Sequence, residues 1–382
     1  MNSKQRVHAV LEGKPVDRFP VTAIYNYLIH DDFFAKVTGE PQWKLDAWLN
    51  APDAAGYLHY YRKMRQAMPF EILQPHPWAP NPTWCARQEF VIKDGKPFRH
   101  DRSTNEWFPI AETKSGHARD YHANEDAHVR TAKETDEKIV IRTAEQQIAD
   151  GLNGWIEAVV SEYGTEHFIL SGGVVGTFYA CGWQLGQTNV LSLMREDPEL
   201  VHHMSKKVLA QNIEDIRRFA KAGGDAVYID DATTTNDMIS VDDYEEYSLP
   251  YITQMVAEAH RLGQKVILIY FGGVADRLEQ IASTGADGLV IEASMKGFTN
   301  DIEVAVARIG RKITLFSNID PIATLQDGTD EQLRAEIKRQ CTAGRKGRGM
   351  VVSTASPITP QTSVERIRAF VKHGIEIGSN QV

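Results

Sequence analysis

Residues 223–231 read Gly-Gly-Asp-Ala-Val-Tyr-Ile-Asp-Asp. A glycine pair stops a helix, a run from Ala226 to Ile229 follows, and two carboxylates end it. The run is short, β-rich and apolar on both faces, as a strand buried in a parallel sheet should be. Upstream, Asp197 can cap a helix with Pro198 at its first position, and Leu209, Ile213, Ile216 and Ala220 then line one face. Downstream the cycle repeats. Ile252, Met255, Val256, Ala259 and Leu262 form a helical stripe that stops at Gly263, and 265–270 reads as the next strand.

Three more cycles follow: Leu278, Ile281 and Ala282 precede a strand at 288–292, and Val304, Val306 and Ile309 precede one at 313–316. Thr329 and Gln332 have capping-box spacing ahead of Leu333 and Ile337, a last strand lies at 350–353, and a helix around 364–371 closes the chain. Adding strand candidates at 18–24, 70–74 and 168–171 gives the count of a closed barrel. The predicted fold class is α/β, a single (β/α)8 TIM barrel over 1–382 with an N-terminal helical extension and a β-hairpin insertion at about 85–137. Within the insertion, Asp94-Gly95 suits a tight hairpin turn between 89–92 and 96–98. Residues 112–137, rich in His, Asp, Glu and Lys without periodicity, read as a surface excursion.

Composition narrows the function. The 382 residues carry 42 Lys+Arg against 51 Asp+Glu, net −9, with 42% hydrophobic residues. This is a globular composition. Without a basic run, nucleic acid is not an expected partner. The three isolated cysteines, Cys85, Cys181 and Cys341, form no disulfide framework. The polar N-terminus and the lack of a long apolar stretch point to a cytoplasmic protein, with no membrane association expected.

In a barrel of this kind, chemistry is built at the C-terminal ends of the strands. The polar and aromatic residues there are the candidates. Tyr25, Asn26 and His30 follow the first strand, and His76 and Trp78 the second. The third leads into Ser171-Gly172-Gly173, with Phe178 and Tyr179 beyond; its glycines permit close backbone approach to a ligand. Asp230-Asp231, Tyr270-Phe271, Glu292, Asn318 with Asp320, and Ser353–Ser356 end the rest. Asp231 and Asp320 read equally as loop caps or as site carboxylates. His76, between two prolines, reads as a loop hydrogen bond or as a substrate or metal contact. Glu292 caps poorly and directly follows an apolar run, which suits a partly desolvated proton-transfer group. So many rings at strand ends imply a small uncharged or aromatic substrate. No zinc pattern, P-loop or nucleophile elbow occurs.

The opening 3–21, SKQRVHAVLEGKPVDRFPV, resembles the N-terminus of the uroporphyrinogen decarboxylase superfamily, as do Ser317-Asn318-Ile319-Asp320-Pro321 with Gly328-Thr329, and the segment 351–369. The resemblance implies the same barrel and, commonly, a homodimer. Decarboxylases proper carry an Arg-Gln-Ala-Gly-Arg segment for a polycarboxylate tetrapyrrole, where this chain has Ala23-Ile24-Tyr25-Asn26-Tyr27. An octacarboxylate without cationic partners faces a desolvation cost, which disfavours that substrate. The other branch consists of corrinoid-dependent methyltransferases, which the insertion and the C-terminal segment resemble more closely. Its thiol-methylating members bind zinc through His-x-Cys and a later Cys. The matching positions here are Tyr270-Phe271-Gly272 and Ala355, so no zinc is expected. The resemblance therefore implies a demethylase-type methyltransferase that moves methyl from a small donor, such as an aryl methyl ether, to the cobalamin of a corrinoid protein. Tyr270, Glu292 and His76 are its candidate catalytic groups; Tyr25, His30, Trp78, Phe178, Tyr179, Asp231, Asn318 and Asp320 its candidate substrate contacts. The alternatives are a decarboxylase of a small or tetrapyrrole acid and a non-catalytic ligand-binding relative.

Overall fold

The computed structural model describes residues 1–51, 53–110, 129–294 and 297–379. Seven parallel strands run in the order β1 (Ile72–Leu73), β5 (Phe168–Val175), β6 (Ala226–Asp230), β7 (Lys265–Tyr270), β8 (Gly288–Ile291), β9 (Thr314–Phe316) and β10 (Met350–Val351), and they curl into a barrel wrapped by helices. Between them in sequence, β2 (Gln88–Lys93), β3 (Lys96–Asp101) and β4 (Glu106–Pro109) form a separate antiparallel sheet. Asp94 and Gly95 both take positive φ at 50° and 74°, the turn that joins two twisted strands in two residues. The hairpin is as expected, while β4 went unrecognised because its burial does not alternate: all four residues are exposed.

The predicted first strand at 18–24 is the eighth stave in reduced form. It contributes a single parallel bridge, Val21 to Val352, rather than a full strand. Around that bridge Val352 N donates to Pro20 O, Thr22 N to Val352 O, and Glu71 N to Val21 O. Pro20 has no N–H to give, so the backbone ladder here is short. Side chains extend it. Glu71 takes a hydrogen bond from Val21 N at 3.0 Å, and its two oxygens also receive Arg6 at 2.5 Å and Arg18 at 2.5 and 3.0 Å. Above the bridge Asn26 Nδ2 donates to Ile72 O at 2.9 Å and Asn26 Oδ1 accepts from Gln74 N at 3.0 Å, reproducing backbone pairing with one amide.

Alternation along the strands sorts side chains into two layers. Ile72, Phe168, Leu170, Ala226, Tyr228, Ile267, Ile269, Val290, Phe316 and Val351 fill the barrel. Val7, Val10 and Leu11 of the helix Ser3–Leu11 belong to the same cluster and plug its lower end. Val227, Ile229, Val266, Leu268, Tyr270, Leu289, Ile291 and Leu315 face outward against the helices.

Two expectations are corrected. The third strand does not stop at Ser171 but runs through the glycines to Val175. The expected excursion at 112–137 ends in a helix, Ala132–Lys138, because Thr131 caps it by accepting from Glu134 N; residues 111–128 lie outside the described ones.

The seam yields a test. Glu71 and Arg6 are each about 6% exposed as side chains, and removing one partner of a buried pair costs about 3–5 kcal/mol. Glu71→Ala is expected to lose about 3 kcal/mol or more in chemical denaturation, with Ser3→Ala as a mild control.

Candidate active site

At the C-terminal mouth, the alternation that points Tyr228 into the barrel also points Asp230 there. Tyr25 Oη donates to Asp230 Oδ2 at 2.5 Å. Tyr25 holds φ 51°, a left-handed conformation that costs a bulky residue energy and recurs at functional sites. Its ring stacks over Phe271 at 6.0 Å and meets Tyr228 edge-on at 5.3 Å, and Tyr27 reaches the Tyr228 hydroxyl at 3.5 Å. The other oxygen of Asp230, Oδ1, is sealed from solvent and has no hydrogen-bond partner among the described residues. Burial is the main reason its carboxyl is pushed up to about 7; the Tyr25 bond opposes this and the neighbouring Asp231 charge reinforces it.

A second group abuts the first. His76 packs edge-on to Tyr27 at 5.1 Å, and its Nε2 lies 2.9 Å from Asp31 Oδ1. Tyr60 Oη donates to the same Asp31 oxygen at 2.7 Å, and Tyr57 Oη accepts from His76 N at 2.9 Å. Tyr57 in turn stacks on Trp155 at 4.6 Å. The stiff Pro75-His76-Pro77 turn is thus fixed on three sides, which orients the imidazole.

The expected site residues divide. Tyr25 and His76 reach the mouth, and Glu292 follows β8 two residues beyond the inward-facing Val290, 3% exposed. Asn318 is structural: its Nδ2 donates to the carbonyls of Glu292 at 3.2 Å and Asn300 at 2.8 Å, tying two strand ends together. Asp320 accepts from Ile322 N and Ala323 N and so is a helix cap. Asp231 and Tyr270 fall on the opposite parity. Asp231 accepts from Ser248 at 2.6 Å and from Thr234, and burial pushes it up to about 6. Tyr270 shares a 2.9 Å hydroxyl contact with Tyr244, beneath the helices. His30 is packed edge-on against Tyr60 and Tyr61, and burial pulls it down to about 3, leaving it neutral. Phe178 is fully buried beside Tyr247 in the outer layer. Tyr179 lies edge-on to Trp183 at 4.7 Å, and Trp78 is 53% exposed.

Asp31 and Tyr228 were not singled out from the sequence, and Asp230 was named only as a strand end, with Asp231 chosen as the contact. Counting by twos from Ala226 would have chosen Asp230 over Asp231; nothing local marks Asp31, whose partners Tyr60 and His76 lie 29 and 45 positions further along the chain. The positions matching the zinc ligands of the thiol-methylating branch offer no donor set: Tyr270 faces outward and Ala355 is buried. Among the described residues no group of three His, Cys, Asp or Glu could hold a metal ion. Burial raises Cys181 to about 12 and Cys341 to about 11, which keeps both as inert thiols.

The family model described as uroporphyrinogen decarboxylase (URO-D) matches residues 126–376. Uroporphyrinogen decarboxylase of Tolumonas auensis is 33% identical over 187 residues, 48% of this chain and 50% of that protein. That of Pseudomonas fluorescens is 34% identical over 187 residues, 47% and 49% respectively. The chain thus spans about half the length of the curated relatives it matches. Among solved structures, a methyltransferase from Methanosarcina mazei superposes with a TM-score of 0.69 at 18% identity, covering 98% of this chain and 99% of that one. At that identity the likeness concerns the fold. Among the described residues no helix is long and apolar enough to cross a membrane.

Gly173 of β5 makes room for a ring of this mouth, and Gly176, just past the strand, makes room for Asp231. A Cβ on Gly173 would lie 2.3 Å from the Tyr228 ring, and one on Gly176 would lie 2.0 Å from Asp231 Oδ1. Gly173→Ala must displace a rigid ring inside a packed barrel, so a loss of about 2 kcal/mol is expected. The Tyr27–Tyr228 contact should break with it, as read by a shifted tyrosine signal in near-ultraviolet circular dichroism.

Proposed function

The chain belongs to the uroporphyrinogen decarboxylase family, and within it we propose a corrinoid-dependent methyltransferase that takes methyl from a small donor, an aryl methyl ether or similar compound. The acceptor is a corrinoid carried by a partner protein, and the working form is a cytoplasmic homodimer. The observation that carries the reading is the Tyr25–Asp230 pair inside an aromatic mouth. The Methanosarcina mazei protein with this fold is itself called a methyltransferase, which is in keeping with it.

Moving methyl from an ether oxygen to cobalt(I) breaks a carbon–oxygen bond and forms a carbon–cobalt bond. Cobalt gives up two electrons, and the leaving oxygen must gain a proton. An aryloxide leaving into a dry pocket is costly unless that proton arrives with it. Asp230, raised to about 7 by burial, carries its proton in about half of the molecules at neutral pH. When Asp230 carries a proton the short bond can reverse, with the carboxyl donating to Tyr25 Oη; Tyr25 is then free to hand its own proton to the leaving oxygen while Asp230 replaces it. Burial keeps the Tyr25 phenol protonated when no acceptor is present. Glu292 and His76 are further proton-transfer candidates at this mouth. The rings of Tyr27, Tyr228 and Phe271 supply the apolar wall that an aryl donor would use.

Decarboxylation is the second reading, favoured by the names of the curated relatives. It calls for cations facing the substrate. Among the described residues the two fully buried arginines are already engaged: Arg218 donates to Asn153 and Pro77 O, and Arg277 to Thr234 O and Ile239 O. A non-catalytic ligand-binding relative is the third.

The test mixes the protein with cob(I)alamin or a corrinoid protein and a panel of methyl donors, following methylcobalamin by its absorbance. Consumption of a methyl donor is expected. Decarboxylation of uroporphyrinogen with no donor consumed would establish the second reading instead, and no turnover of either the third. Because the acid form of Asp230 is the working one, activity should be full well below pH 7, half lost near pH 7 and lost above it. Asp230→Asn keeps the shape but removes the proton, and is expected to cut turnover about 10²–10⁴-fold and erase that limb of the profile.

A further inference from the structure

The helices Phe34–Thr38, Ala54–Ala67 and Val364–Gly378 line an open groove of about 730 Å³. It shares no residue with the site described above. Lys36, Lys63 and Arg368 line it, one from each helix, and Glu365 is the one acid among its lining residues. In a chain of net charge −9 this is a local reversal of sign. Among the described residues none of the three cations has a carboxylate within ion-pair distance. Lys36 donates to Pro360 O and Arg368 Nε donates to Ala67 O at 3.0 Å, which anchors both against the groove wall. Glu40, the acid that senses Lys63, is already held by Lys44 at 2.6 Å.

We propose that this groove binds an organic phosphate. Two ammonium groups and one guanidinium lining one groove suit a doubly charged phosphate, whose terminal oxygens offer acceptors to several donors. The groove is also much larger than one phosphate. Val37, Ala67 and Val364 offer apolar surface and Gln66 and Gln361 offer amides, so a small organic body carrying the phosphate would be covered as well. The cations hold the anion, and the remaining walls set which phosphate is taken.

Calorimetric titration at low ionic strength tests this with pyrophosphate, a phosphate monoester (glycerol phosphate) and citrate as probes. The expected result is one site per chain for the phosphate probes, weakened about tenfold by Lys63→Gln, the loss of one charge-assisted hydrogen bond, and weakened in the same sense by added salt. Lys63 has no ion pair to lose, so an unchanged melting temperature is expected and keeps the comparison clean; Lys36→Gln repeats the test from the opposite wall. No binding at millimolar phosphate, binding that both variants leave intact, or citrate bound as tightly as pyrophosphate would each overturn the proposal. None of these readouts requires methyl transfer, so failure here and failure of the proposed activity are distinguishable.

Discussion

The fold depends on closing a parallel sheet where one stave is almost missing. Between β10 and β1 the backbone supplies a single bridge at Val21, and the carboxylate of Glu71 together with the amide of Asn26 make up the remainder. A parallel barrel with an open seam would expose unpaired backbone groups along two edges. Glu71 avoids this by working twice, once through its own N–H to Val21 O and once as acceptor for Val21 N, while Arg6 and Arg18 neutralise it. The charges gain little net stability by themselves. What they secure is the position of residues 18–26, and hence of Tyr25.

From that point the site follows by geometry. A seam held at Val21 and Asn26 delivers Tyr25 over the barrel axis, where inward parity on β6 has already placed Tyr228 and Asp230. Room for Tyr228 exists because β5 carries glycine opposite it. The strain in Tyr25 is held by Asp230 and Phe271 together, and the carboxylate pays in turn with an unpartnered oxygen. A buried acceptor left without a donor is costly in a stable protein. Its presence beside a left-handed tyrosine at the mouth of a barrel marks the place where folding and chemistry conflict.

The sequence was most legible where local pattern and fold coincide. The five βα cycles from Asp197 onward carry caps, stripes and glycine stops in register with the observed elements, and Asp94-Gly95 specified its own turn. The first stave was harder, because Pro20 removes a donor and the pairing that survives runs through side chains. The glycines after Ser171 looked like a loop, since the rings that require them, Tyr228 and Phe219, lie in other strands and helices. Among the candidate site residues, Tyr25 and His76 were visible as polar or aromatic groups just past a strand. Asp231 and Tyr270 were chosen by the same rule, and each lies one residue from the inward-facing parity.

What the sequence alone determined is therefore the barrel, the family to which it belongs, and an aromatic mouth poor in arginine, because periodicity, capping and residue type are local properties. Only the tertiary structure decided that Asp230 rather than Asp231 faces that mouth, that Tyr25 is its partner, and that Asp31 orients His76. Each of those contacts joins residues far apart in the chain, 205 positions for Tyr25 with Asp230 and 45 for His76 with Asp31. Parity and long-range packing set them, and neither is written in any short stretch of residues.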